Sequence, residues 1–240
     1  MEIVAEFQKL TIAIDGPAGS GKSTAAKRVA ELLGYDYIDT GAMYRTVGLA
    51  ALSAGARLDD ASRVEQIARQ AQIELRWSDG RTRVWLDGRE VSEEIRRAEA
   101  AQAASVVSTV PGVRTILVRR QKEFAARGGV VMEGRDIGTV VLPQADLKIF
   151  LTASPEVRAR RRADEMAGRG EAVDYEQMKE EVVERDRRDT ERAASPLAAA
   201  EHAVIVDSTA MDAEEVARLI VLLAREKERR IGKEKPTFSA

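Results

Sequence analysis

The chain contains no cysteine, which excludes disulfides, thiolate metal sites and a cysteine nucleophile. Histidine is almost as scarce: His202 is the only one, and its place just ahead of a short apolar run fits a structural role. No apolar run approaches the ~20 residues that a membrane span needs. The opening MEIVAEFQKL is too acidic and too poor in apolar residues for a signal peptide. A basic excess is missing too: 38 Lys and Arg stand against 40 Asp and Glu, for a net charge of −2. Nucleic-acid binders usually carry that excess. These absences predict a cytoplasmic protein with neither a membrane nor a nucleic-acid partner.

What is present is ordinary for a globular chain, with 44% hydrophobic and 32% charged residues. At 240 residues the first expectation is one domain, 1–240, carrying insertions. Leu10 to Ile14 is a short apolar run ending in Asp15-Gly16 and reads as a buried strand. Lys22 to Leu33 has helical periodicity and stops at Gly34. Tyr35 to Ile38 reads as a strand and Gly41 to Ala54 as a helix. Ile73 to Trp77 and Thr82 to Leu86 flank an Asp-Gly turn, the signature of a hairpin. Val91 to Ser108 and Val113 to Ala126 read as helices. Gly129 to Met132 and Leu147 to Leu151 look like buried strands. Pro155 to Ala167 and Tyr175 to Glu191 read as charged helices. Val204 to Val206 and Ala213 to Lys227 give a last strand and helix, and the polar composition of 228–240 predicts a disordered tail. Strands alternating with helices imply an α/β fold around a parallel sheet covered on both faces. The hairpin region, 63–108, breaks that rhythm and looks like an inserted subdomain.

One stretch names a chemistry. Gly16-Pro-Ala-Gly-Ser-Gly-Lys22-Ser23 fits G-x-x-x-x-G-K-[ST], placed after a strand and before a helix. Glycines let backbone N–H groups close on phosphate oxygens, and the helix start adds its dipole. Gly16, Pro17, Ala18, Gly19, Ser20, Gly21, Lys22, Ser23 and Thr24 are therefore the candidate nucleotide-binding residues. The Lys22 ammonium is expected at the β- and γ-phosphates and the Ser23 hydroxyl at Mg²⁺. The motif gives nucleotide binding and is silent about its use.

Arginine supplies the next clue. Thr40, the expected N-cap of the second helix, and Arg45 follow the second strand, on the sheet edge that carries the phosphate loop. Arg135, in Glu133-Gly-Arg-Asp136, follows another buried strand at the same edge. Arg158, Arg161 and Arg162 share a helical face, as do Arg185, Asp189 and Arg192. The segment from Arg158 to Arg169 is rich in arginine and has no lysine. Arginine's planar fork matches phosphate and carboxylate in a way lysine cannot. That density favours a phosphotransferase over a merely solvated surface.

The combination of IDGPAGSGKST, YIDTGAMYR, LDGREVSEEIR, PGVRTILVRRQ, EGRDIGTVVLPQADLKIFLTAS and ERDRRDTERAASPL resembles bacterial cytidylate kinases, within the nucleoside monophosphate kinases. The likeness runs from about Leu10 to Leu223. It implies a P-loop kinase core with a five-stranded parallel sheet, an arginine-rich lid over 158–174 and a monophosphate-binding subdomain at 63–108. It further implies ATP and Mg²⁺ as cofactors, CMP or dCMP as acceptor, and a monomer. Carried over, Thr40, Arg45, Arg114, Glu133, Arg135, Arg185, Asp189 and Arg192 line the CMP site. Arg161 and Arg162 are assigned, with Lys22, to the transferred phosphoryl group. A shikimate-type kinase would want two carboxylates one residue apart after the second strand, and Asp36 and Asp39 do not fit. An adenylate-type enzyme leaves the insertion unexplained, and a GTP switch would need an N-K-x-D sequence that is missing.

Overall fold

The computed structural model describes residues 9–234 apart from 79, 169, 171 and 193. Five strands form the main sheet: β1 (Thr11–Asp15), β2 (Asp36–Asp39), β6 (Val130–Gly134), β7 (Leu147–Thr152) and β8 (Val204–Asp207), in the order β2-β6-β1-β7-β8. All pairings are parallel. The central strand β1 alternates its side chains between two cores, as the two-residue period requires. Ile12 and Ile14 point with Leu10 into a cluster under α1 (Lys22–Leu33) and α8 (Ala213–Glu234), while Ala13 joins Val130, Met132 and Ile137 on the other face. With both faces buried, near-continuous apolar runs are what the strands need.

A second sheet carries the predicted hairpin. Strands β3 (Ile73–Ser78), β4 (Arg81–Leu86) and the short β5 (Arg89–Glu90) are antiparallel. The β4–β5 turn is Asp87-Gly88, with φ of 52° and 80°, the paired positive angles of a type I′ turn. Helix α2 (Thr40–Ser53) and helix α3 (Ala61–Gln70) sit beside this sheet. Trp77 of the hairpin packs edge-on against Tyr37 of β2, with ring centroids 5.1 Å apart.

Two of the expected elements differ in extent from the sequence reading. Val91 to Ser108 is not one helix: a 3-10 turn at Glu94–Arg96 gives way at Arg97, whose ψ of 155° is extended, to α4 (Ala98–Val107). Val91 and Ile95 pack with β4, whereas Val107 belongs to the cluster around α2 and α5 (Pro111–Ala125). The chain must redirect to reach both. Gly48 permits the close approach of α4 to α2, since a Cβ there would stand 2.8 Å from that of Ala103.

The expected tail is the second departure, because α8 continues to Glu234. Glu228 is 5% exposed and accepts a 2.8 Å hydrogen bond from the Tyr35 hydroxyl. Residues 235–240 lie outside the described residues. The remaining helices, α6 (Pro155–Ala167) and α7 (Tyr175–Glu191), pack against each other through Ala159, Met178 and Val182.

Candidate active site

The loop between β1 and α1 is shaped by its glycines. Gly19 and Gly21 have φ of 76° and 86°, in the left-handed region that glycine enters without a Cβ penalty. A Cβ on Gly16 would stand 2.0 Å from the Leu151 carbonyl oxygen, so the loop can only lie this close to β7 with glycine there. Beyond it opens a cleft of about 470 Å³ lined by Gly19 to Thr24 on one side and by Arg161, Arg162 and Ser208 on the other. Gly16, Pro17 and Ala18 of the predicted loop are buried beneath this cleft rather than in its wall. The carbonyl of Pro17 accepts from Lys22 Nζ at 3.1 Å and that of Ala18 from Arg158 Nη1 at 3.2 Å.

Lys22 is buried, 4.0 Å from Glu133 Oε2. Burial first, and then the charge of Arg135, push its pKa down to about 7. An anion arriving beside this amine favours its charged form. Glu133 lies next to the end of β6, beside β1 and β2, and accepts a 2.6 Å hydrogen bond from the Tyr37 hydroxyl. It therefore serves the lysine from behind rather than the cleft wall. Thr40 is not the N-cap of α2. That position belongs to Asp39, whose carboxylate accepts from the Ala42 N–H at 2.9 Å. The Thr40 hydroxyl is instead buried and donates to the Glu133 carbonyl at 2.7 Å, tying α2 to β6.

Around Lys22 the predicted arginines converge. Arg45 pairs with Asp39 at 2.7 Å, and Arg135 Nε donates to Asp189 at 2.9 Å. Arg185 is held down to about pH 10 by burial and by its neighbours Arg135, Arg162 and Arg45. Asp189 is lowered despite its burial, because Arg135, Arg185 and Arg192 surround it. A second group adjoins through Asp189. Arg114 of α5 and Arg192 both face buried Asp136, the former in direct hydrogen bond and the latter at 3.9 Å. Among the described residues Arg192 Nη2 is buried without a hydrogen-bond partner, and its guanidinium is held low by burial and by Arg114. Cations outnumber carboxylates here, in a space reached from the carboxyl ends of β1, β2 and β6. Guanidinium groups gathered in this way can take up phosphate or carboxylate oxygens.

Arg161 and Arg162 part company. Arg162 lines the cleft and contacts Met178 Sδ with Nε at 3.3 Å. Arg161 is committed to protein: it donates to Ser20 and Met211 carbonyls at 3.3 and 3.1 Å and to Ser208 Oγ and O at 3.0 and 2.7 Å. Its guanidinium closes the cleft where α8 begins. His202 is an exposed turn residue with φ of 61°. Sequence reasoning missed Asp15, whose carboxylate accepts from the Ile137 and Gly138 N–H groups at 2.8 and 2.7 Å. It also missed Asp39, Asp136 and the clamp made by Arg158. The signal for Asp39 was there, since Asp is a favoured N-cap. The other partners are too far apart in the chain to be read locally.

Most of the chain is similar to known proteins. A family model described as cytidylate kinase matches residues 12–226. A cytidylate kinase of Pelotomaculum thermopropionicum is 54% identical over 88% of this chain and 93% of its own length. One of Caldanaerobacter subterraneus is 53% identical over 85% and 90%, and one of Caldicellulosiruptor bescii 48% over 90% and 96%. From the first strand of the sheet to its last helix, the chain belongs to the cytidylate kinase family.

Proposed function

We propose that the enzyme transfers the γ-phosphoryl group of ATP to CMP or dCMP, yielding ADP and CDP or dCDP. The observation that carries this is the convergence of Arg45, Arg135 and Arg185 on buried Lys22, at the sheet edge where the phosphate loop opens. The relatives' names supply the base of the acceptor.

A phosphate monoester has a second pKa near 6, so the attacking oxygen of CMP is already ionised at neutral pH. It bonds to the γ-phosphorus as the bond to the β,γ-bridging oxygen breaks, and ADP leaves with that electron pair. No general base is required. The obstacle is bringing two anions together, and the chain meets it by positioning and charge. Lys22 supports the transferred group, with Glu133 and Pro17 holding its ammonium in place. Arg45, Arg135 and Arg185 grip the acceptor phosphate beside Lys22, while Asp189, Arg192 and Arg114 face its sugar and base. Arg162, on the cleft wall, meets the charge that builds on the transferred group.

The Ser23 hydroxyl is exposed at the cleft directly after Lys22. Among the described residues no trio of carboxylate or histidine side chains forms a protein-held metal site. That donor set suits Mg²⁺, which usually takes one or two protein ligands and completes its shell with substrate phosphates and water. When bound, Mg²⁺ neutralises charge on the phosphates. Water must be kept out, and the segment 158–174 is the candidate lid. Because Arg158 and Arg161 are both anchored to the phosphate loop, the moving part would begin beyond Arg161; residues 169 and 171 lie outside the described residues. No single helix among the described residues is long and apolar enough to cross a membrane.

The test is ADP formation from ATP and Mg²⁺ with CMP, dCMP, UMP, AMP, GMP and shikimate offered separately. Rapid turnover with CMP and dCMP and little with the others is expected. Equal turnover with AMP, or none with any acceptor, would overturn the reading.

A further inference from the structure

Arg158 stands in the first turn of the arginine-rich helix, yet its side chain is only 4% exposed. Nε donates to the Ala153 carbonyl at 2.9 Å, where β7 has just ended. Nη1 reaches the Ala18 carbonyl of the phosphate loop at 3.2 Å. Nη1 and Nη2 also take both carboxylate oxygens of Asp186, at 2.9 and 2.5 Å. Backbone contact reinforces the link, since a Cβ on Gly19 would lie 2.9 Å from the Arg158 carbonyl oxygen. Asp186 belongs to α7 and lies between Arg185 and Asp189, which face the acceptor side. One guanidinium thus joins the donor loop, the end of a sheet strand and the acceptor helix. The paired fork fixes orientation as well as distance, which a lysine could not do. Arg187 of the same helix is a contrast: its ion pairs with Glu184 and Glu191 are exposed and hold nothing beyond α7.

We propose that Arg158 and Asp186 are positioning residues that keep the phosphate loop and the acceptor face of α7 in register. They act through the Ala18 backbone and through Arg185 and Asp189, without touching either nucleotide; the inference rests on reading that face as the acceptor site. A misplacement of ~1 Å in a two-substrate site costs on the order of 10²-fold in rate. Losing the pair therefore lowers turnover more than it lowers the affinity of either nucleotide alone.

The experiment compares Asp186→Ala and Arg187→Ala with wild type. It reads kcat with ATP and CMP, the Kd of each nucleotide alone by calorimetry, and hydrogen exchange of amides in 16–21. Asp186→Ala is expected to lose tenfold or more in kcat, keep each Kd within threefold, and exchange faster in the phosphate loop; Arg187→Ala stays at wild-type values. A kcat within twofold of wild type overturns the proposal. So does a fall in CMP affinity that matches the fall in kcat/KM, which would make Asp186 a substrate contact. Should Asp186→Ala not fold, Asp186→Asn keeps an acceptor oxygen and is expected to lose threefold or more in kcat with the same exchange signature; wild-type behaviour in both readouts overturns the proposal. If wild type does not phosphorylate CMP, the functional reading fails instead, and unchanged loop exchange in the variant still decides against the pair.

Discussion

Arg192 caps the C-terminal end of α7 with Nε donating to the Ser195 carbonyl at 2.6 Å, while Nη2 is buried without a hydrogen-bond partner among the described residues. A buried donor left unpaired is costly, by ~1–3 kcal/mol, so a ligand oxygen at Nη2 recovers that cost. Arg192→Ala is predicted to lower kcat/KM for CMP by roughly 30-fold or more, the ~2 kcal/mol of a hydrogen bond to a charged group. The Kd for ATP stays within twofold. Wild-type kinetics in this variant would reduce Arg192 to a helix cap. Asp15 makes a prediction about pH. Burial raises its carboxyl to about 6, against the lowering effect of the Gly138 and Ile137 N–H groups. The folded state therefore holds this proton more tightly than the unfolded chain. The stability that protonation contributes is complete below about pH 4 and is lost as pH rises through about 6, a change of ~3 kcal/mol. Asp15→Asn cannot ionise, so the Tm of wild type minus that of the variant should shrink between pH 4 and 6. A difference that grows over this range would mean the two N–H groups win and Asp15 is held as the anion. Nothing near Asp15 in the sequence announced this, since its partners are more than a hundred residues away.

At the scale of elements, α8 shows why its last turns were hidden. The buried positions Val216, Ile220 and Ala224 lead at helical spacing to Glu228, where a charge interrupts the apolar stripe and reads as surface. The structure satisfies that charge with Arg225 at 2.9 Å and the Tyr35 hydroxyl at 2.8 Å. Tyr35 in turn accepts from the Leu10 N–H at 2.9 Å, which ties the end of α8 to the residue preceding β1. Tyr35→Phe leaves that N–H and one carboxylate oxygen unpaired in a buried place. A loss of ~1–3 kcal/mol in urea unfolding at an unchanged m-value is predicted. No measurable loss would mean that water replaces the hydroxyl. The break at Arg97 was illegible for a different reason: the Ala- and Glu-rich composition supports a helix on both sides of it. Only the need to place Ile95 and Val107 in different clusters bends the chain. The hairpin and the phosphate loop were legible because Gly and Asp at fixed spacings constrain the backbone directly.

Across the whole molecule, β1 lies at the middle of the sheet with β6 on one side and β7 on the other. The connection after β1 runs to one side of the sheet and that after β7 to the other, and the crevice between such neighbours takes the ligand in open α/β sheets. The loops after β1, β2 and β6 all open onto it, and α6 follows β7 at the same edge. The alternation of strands and helices made this architecture readable, whereas the strand order and the carboxylates behind each arginine were not. Those carboxylates matter to the account. Asp39, Glu133, Asp136 and Asp189 pair with Arg45, Lys22, Arg114 and Arg135, so in the proposed site the protein itself holds these cations near one another. The central claim is that the phosphate held at Lys22 passes directly to a second nucleotide in this space. Incubation with ATP labelled in the γ-phosphate, Mg²⁺ and CMP tests it, by following where the label goes. Label is expected in the β-phosphate of CDP, with little in inorganic phosphate. Label released only as inorganic phosphate, with CMP unchanged, would contradict it.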